Sequence, residues 1–166
     1  AAHIYPLPFV ALTVDPDLIV SGDPVTLTWQ SANVTALDIT PDMGAVDPQG
    51  SVTVTPTETT TYLISASGTL GAVQADATVR VIDPSAVPTI SFTAEPQAIE
   101  AGGSVLLTWN STNALSVTIA PGVGDVSHEG EMTIFPDEST TFTATANGPG
   151  GNASAEAVVT VAHAPE

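Results

Sequence analysis

The sequence predicts an all-β protein made of two tandem β-sandwich domains of about seven strands each, without disulfides. Three observations lead to this prediction: an 80-residue internal repeat, short runs of alternating apolar and polar residues, and turn residues between those runs. Helical periodicity is absent, and the 13 glycines and 14 prolines recur too often for long helices. The chain has no cysteine, which excludes disulfides, thiolate metal sites and thiol nucleophiles.

The internal repeat defines the domain organisation. Shifting the 166-residue sequence by 80 positions aligns residues 12–81 with 92–161 without a gap, and 27 of the 70 pairs are identical. We therefore expect domain 1 at residues 10–82 and domain 2 at residues 89–162. A linker stiffened by prolines joins them at residues 83–88. An apolar contact segment at residues 1–9 precedes domain 1, and a short tail at residues 163–166 follows domain 2.

The alternating runs fall at the same places in both copies. The first strand lies near Leu12–Val14, is broken at Pro16 and resumes near Ile19. Five more apolar sets follow in domain 1: Val25, Leu27 and Trp29; Leu37 and Ile39; Val52 and Val54; Tyr62, Ile64 and Ala66; and Ala75, Ala77, Val79 and Val81. Domain 2 repeats each set 80 residues later, so both copies have the same predicted strands.

Three stretches carry a family resemblance: the strand "VTLTW", the turn "PTETTTY" or "PDESTTF", and the closing strand "ATVRV" or "AVVTV". They resemble the bacterial immunoglobulin-like domains of cell-surface proteins, over nearly the whole chain. The resemblance implies that Trp29 and Trp109 replace the first cysteine of the family's disulfide, and that Ile64 and Ala144 replace the second. It also implies a tyrosine corner, which only Tyr62 can form because Phe142 lacks a hydroxyl.

The two tryptophans have two interpretations, as buried core or as exposed platforms for a sugar. Trp29 shares its alternating face with Val25 and Leu27, and Trp109 stands in the same relation to its own strand. Because alternate residues of a strand point to the same side, this parity favours the core. The predicted structural core therefore includes the following aromatic and aliphatic residues: Trp29, Tyr62, Ile64, Trp109 and Phe142.

The charge balance excludes several partners. Eighteen acidic residues stand against one basic residue, Arg80, for a formal net charge of −17. Nucleic acid and anionic membrane surfaces would repel such a chain, and no run of about 18 apolar residues predicts a membrane span. The chain begins "AAHIYP" without Met, as expected of a protein exported after signal-peptide removal. We therefore expect an extracellular or cell-surface location.

Catalytic and metal-binding patterns are sparse, and no catalytic residue or cofactor is predicted. No serine lies in a G-x-S-x-G turn, and His128 lies in "DVSHEGEM", which we expect to be a surface loop. Calcium is the one metal to consider, with Asp15, Asp17 and Asp23 as weak candidates. Only Asp15 has an acidic counterpart in domain 2, Glu95, and no D-x-D-x-D-G loop is present.

The N-terminal segment carries most of the functional signal. Ile4, Tyr5, Leu7 and Phe9 lie in "IYPLPF", which is far more apolar than the linker. The segment either contacts a neighbouring subunit as an added strand or folds back on domain 1. We expect a non-catalytic extracellular structural protein that self-associates, or binds another surface protein, in a fibre, filament or sheath. The alternatives are an adhesin or spacer module that binds glycan or protein through its loops, and a calcium-stiffened stalk.

Overall fold

The computed structural model describes residues 5–163, which form sixteen strands and no helix. The chain divides into two compact units, Ala1–Ile82 and Asp83–Glu166. Within the described residues there is accordingly no helix long and apolar enough to cross a membrane.

Domain 1 contains eight strands in two sheets. Its strands are β1 (Phe9–Asp15), β2 (Leu18–Val20), β3 (Val25–Ala32), β4 (Ala36–Thr40), β5 (Gly44–Ala45), β6 (Gln49–Val54), β7 (Thr60–Gly68) and β8 (Gly71–Ile82). One sheet has the order β1-β3-β6 and the other the order β2-β8-β7-β4-β5. All neighbours are antiparallel except β2, which runs parallel to β8.

The break predicted at Pro16 is the point where the chain changes sheets. Before it, β1 pairs with β3; after it, β2 pairs with β8 of the opposite sheet. Proline has no N–H to donate to a ladder, so a strand that reaches Pro16 cannot continue its pairing there. The opening strand therefore contributes to both sheets and joins them at one side of the sandwich.

Domain 2 repeats this architecture. Its strands are β9 (Thr89–Glu95), β10 (Ala98–Glu100), β11 (Val105–Thr112), β12 (Ser116–Ala120), β13 (Gly124–Val126), β14 (Glu129–Ile134), β15 (Thr140–Gly148) and β16 (Gly151–Ala162). The sheet orders are β14-β11-β9 and β10-β16-β15-β12-β13, with β10 parallel to β16.

Each domain has one strand more than the seven expected. The additional strands are β5 and β13, which begin at Gly44 and Gly124 with φ angles of 70° and 90°. These glycines sit in the left-handed region that a tight turn back onto the preceding strand requires. With two and three residues, β5 and β13 are too short to show an alternating pattern in the sequence.

The cores lie between the two sheets of each domain. In domain 1 the side chains of Leu27, Ile39 and Ile64 are completely buried, and Leu107 and Val159 are completely buried in domain 2. None of the buried residues in the described part of the chain is polar or charged. Apolar burial, contributed mainly by Val, Ala, Ile and Leu, is thus what stabilises each sandwich.

Candidate interaction surfaces

The tryptophans lie in the cores and leave no indole face for a ligand. Trp29 and Trp109 expose 7% and 5% of their surface. The indole Nε1 of Trp29 donates to the carbonyl of Asp47 at 2.8 Å, and that of Trp109 donates to Ser127 at 2.9 Å. Both carbonyls belong to the segment that crosses from one sheet to the other. Each indole therefore packs between the sheets and satisfies its one donor on the crossover.

The positions implied for the second cysteine are also core. Ile64 and Ala144 are completely buried, and Tyr62 and Phe142 are buried beside them. The tyrosine corner that the resemblance implies at Tyr62 stays a prediction. Burial raises the pKa of Tyr62, and the nearby Asp42 carboxylate raises it further.

The predicted contact segment touches domain 1 through its backbone and through Pro8. Asn33 donates from Nδ2 to the Leu7 carbonyl at 2.9 Å, and Pro8 lies beside Gly68 at the end of β7. The side chains remain exposed: Tyr5 by 57%, Leu7 by 73% and Phe9, which opens β1, by 49%. Ile4, the fourth predicted residue, lies outside the described residues.

The linker meets domain 2 in the same way. Asn113 donates from Nδ2 to the Val87 carbonyl at 3.2 Å, and Pro88 lies beside Gly148. Asn33 and Asn113 both adopt left-handed backbone, with φ of 60° and 54°, a conformation that Asn tolerates better than most residues. Residues 7–8 therefore contact domain 1 in the same way as residues 87–88, which lie 80 positions later, contact domain 2.

The linker begins with a hydrogen-bonded turn. Asp83 accepts from the Ser85 hydroxyl at 2.6 Å and from the Ser85 amide at 2.7 Å, and its carbonyl accepts from the Ala86 amide at 3.0 Å. The Ser85 hydroxyl and then the Ser85 amide lower the pKa of Asp83 below its ordinary value of 3.8, because both donate to the ionised carboxylate. The turn orders the linker locally although it lies on the surface.

The acidic residues do not assemble a metal site in the described structure. Between residues 5 and 163, no group of three or more His, Asp or Glu side chains lies close enough to hold an ion. Asp15, Asp17 and Asp23 are therefore not gathered around a common point. A calcium site would need these loops to rearrange around the ion.

His128 is less exposed than a surface loop predicts. Its Nε2 is enclosed without a hydrogen-bond partner among the described residues, and its backbone carbonyl accepts from both the amide and the hydroxyl of Ser111. These two bonds hold the loop against β11. The sequence showed only a polar loop without a counterpart in domain 1, where Pro48 occupies the position.

No family model matches the sequence. An uncharacterized protein of Ruminiclostridium cellulolyticum is 30% identical over 137 residues, which cover 79% of this chain and 37% of that protein. The chain thus spans little more than a third of the length of this relative.

Solved structures similar to the chain are tandem domains. The titin domains Z1Z2 in complex with telethonin match 98% of this chain and 100% of theirs, with 15% identity and a TM-score of 0.40. The D0-D1 domain of intimin matches 93% of this chain and 100% of its own, with 12% identity and a TM-score of 0.39. The fold is therefore assigned from the strands themselves. In each domain a sheet of three strands packs on a sheet of five, and the paired strands are antiparallel apart from the short second strand. Both domains are immunoglobulin-like β-sandwiches.

Proposed function

We propose that the protein is a non-catalytic structural subunit that self-associates at the cell surface, through its N-terminal segment and the adjoining end of domain 1, in a fibre, filament or sheath. The exposure of Tyr5, Leu7 and Phe9 carries the proposal. Leu70, in the hairpin turn next to Gly68, adds a fourth exposed apolar side chain at the same end and is 46% exposed. Large apolar side chains grouped on an otherwise acidic surface are typical of a contact.

The expected strength of this contact is modest. Burying the exposed parts of Tyr5, Leu7 and Phe9 contributes about 3–5 kcal/mol, since all three are already partly buried. This gain is similar to the lower estimates, about 4 kcal/mol, of the free-energy cost of the translational and rotational freedom that two proteins lose when they associate. We therefore expect reversible assembly that depends on concentration. A contact between the end of one copy and a different surface of the next does not close on itself, so it propagates into a filament.

Charge opposes this assembly and makes it sensitive to salt. Each copy carries a formal net charge of −17, and only Arg80 could offset a carboxylate of a neighbour. Raising the ionic strength shortens the screening length to about 8 Å at physiological salt. Low salt should consequently dissociate the assembly, whereas salt or divalent ions should favour it.

The first experiment compares the full chain with a version that begins at Phe9, by light scattering and electron microscopy. Because β1 begins at Phe9, the shortened chain keeps every strand. Val87→Ser is the matched control, since it removes a similarly exposed aliphatic side chain, 61% exposed, from the linker. Oligomers or fibres of the full chain and of the control, but not of the shortened chain, support the proposal. Equally stable monomers of all three contradict it.

A binding role, as an adhesin or spacer module, is the second candidate. Phe135 is 66% exposed just beyond β14, two residues after Thr133, which pairs with the exposed Leu106 of β11. An exposed aromatic side chain beside an aliphatic one can stack on a sugar ring. Titration with soluble oligosaccharides, followed by NMR, should then show shifts at these residues that Phe135→Ala abolishes.

Chelation by EDTA tests the calcium-stiffened alternative, which requires a clear fall in Tm.

A further inference from the structure

The edge of β6 in domain 1 is open. β6 ends the sheet β1-β3-β6, with β3 on one side and no strand of the described residues on the other. A bare edge presents unpaired N–H and C=O groups to any chain in an extended conformation. Proteins usually block such edges with charges, prolines or bulges. The stretch Gln49–Val54, "QGSVTV", contains no charge and no proline.

Domain 2 shows what a blocked version of this edge looks like. Its equivalent strand β14 reads "EGEMTI", so Glu129 and Glu131 stand where domain 1 has Gln49 and Ser51. The two strands share the same pairing with their neighbours, Trp29 opposite Gly50 and Trp109 opposite Gly130. The domains therefore differ at this edge in charge and not in architecture. The β6 edge of domain 1 is thus uncharged in a chain of net charge −17, whereas the equivalent β14 edge carries two carboxylates.

The shape beside β6 suits a single strand. A depression runs along this edge, with Trp29 and Gln49 to Val52 on one side, Met43, Ala45 and Val46 around β5 on the other, and the carboxylate of Asp47 at the crossover between them. Val52 is 36% exposed there, and Met43 and Val46 are only partly buried. The residues around β5 belong to the opposite sheet and bound this space on one side, which favours one extended segment over a whole second sandwich.

The N-terminal segment has the properties of such a strand. Residues 1–8, "AAHIYPLP", include no acidic residue. Pro6 and Pro8 are two positions apart, so the N–H groups they lack would all point to one edge of an extended strand, and the other edge could pair. An added strand is itself an edge, and its prolines can therefore face water. Tyr5 and Leu7 share one face, which could cover Met43, Val46 and Val52.

We propose that the β6 edge of domain 1 accepts the N-terminal segment of a second copy as an added strand. This inference rests on the proposed function, which makes the segment the element of assembly, and it names the surface that receives it. Pairing exchanges the bond from Asn33 to the Leu7 carbonyl for ladder bonds in the neighbour. Because the donor and acceptor surfaces of one copy differ, each added copy leaves a new open edge.

The experiment introduces the two glutamates of the β14 edge at the equivalent positions of β6. The double variant Gln49→Glu and Ser51→Glu uses residues that the equivalent strand already tolerates at these positions. We expect it to weaken binding of a synthetic peptide of residues 1–9 to the chain starting at Phe9 by about tenfold or more, and to abolish assembly of the full chain, because charged side chains on an edge strand oppose the addition of another strand. Gln74→Glu with Thr78→Glu adds the same charges to the exposed face of β8, farther from the hairpin that contains Leu70, and should change neither.

The reciprocal variant provides a gain of binding. Glu129→Gln with Glu131→Ser removes the charges from β14, and we expect the peptide stoichiometry by calorimetry to rise from one to two. If the Gln49/Ser51 variant assembles and binds peptide like the wild type, while the chain starting at Phe9 does not assemble, this inference is overturned and the proposed function stands. If the full chain does not assemble and no peptide binds, both are overturned.

Discussion

The indole of Trp29 lies against the backbone of Gly50, its partner across β3 and β6. A Cβ built on Gly50 would come 2.8 Å from Cζ2 of the indole, and Gly130 would meet Trp109 at 2.9 Å. Real Cβ atoms essentially never approach that closely, so each Trp requires the glycine opposite it. This pairing explains why the two residues recur together in both domains.

Gly50→Ala should destabilise domain 1 by about 1–3 kcal/mol, because the added methyl group overpacks the indole. Calorimetry and tryptophan fluorescence during urea unfolding would measure the loss. Ser51→Ala, at the next, outward-facing position, is the control and should change the unfolding free energy by less than about 0.5 kcal/mol. Gly130→Ala should reproduce the effect in domain 2. An unchanged midpoint for both glycine variants would show that β6 and β14 move aside freely.

Asn113→Ala should cost more than Asn113→Gly. Both substitutions remove the hydrogen bond to the Val87 carbonyl, which is worth about 0.5–1.5 kcal/mol. Only Ala adds the strain of a left-handed backbone, about 1–2 kcal/mol, since Gly adopts φ of 54° freely. Urea unfolding of both variants, repeated at Asn33, separates the two contributions. Equal stability of the Ala and Gly variants would contradict the role of the backbone.

Tyr62→Phe should matter only in alkaline solution. At neutral pH the change should be small, because Phe142 occupies the equivalent position of domain 2 and is buried there as Tyr62 is in domain 1. The pKa of Tyr62 is raised in the folded state, so above about pH 10 the unfolded chain ionises first and stability falls. The Phe variant should lose less stability above that pH, as measured by urea unfolding at pH 7 and pH 11. Parallel losses in variant and wild type would contradict this.

Ser85→Ala should raise the pKa of Asp83 towards its ordinary value of 3.8. The hydroxyl of Ser85 is the strongest cause of the lowered pKa, and its amide would remain as the second. An NMR titration of the Asp83 carboxyl carbon measures the change directly. A pKa that is identical in variant and wild type would show that the turn does not persist in solution.

Much of each sandwich could be predicted because burial on a strand follows a period of two. Val25, Leu27 and Trp29 all point into the core, as their alternation indicated. The short strands β5 and β13 could not be predicted, since a turn glycine and two residues carry no period. The partial burial of His128 was not predicted either, because the alternation of apolar residues carries no information about a loop between two short strands.

The sequence alone determined that the protein is all-β, that it is duplicated, and that its tryptophans belong to the core. Those features follow from local periodicity and self-similarity, which need no knowledge of which strand lies beside which. The tertiary structure decided that β6 is an open edge and that Glu129 and Glu131 occupy the equivalent edge of domain 2. A strand is an edge only by the absence of a neighbour. That property belongs to the order of strands in the sheet, and no single segment of the chain encodes it.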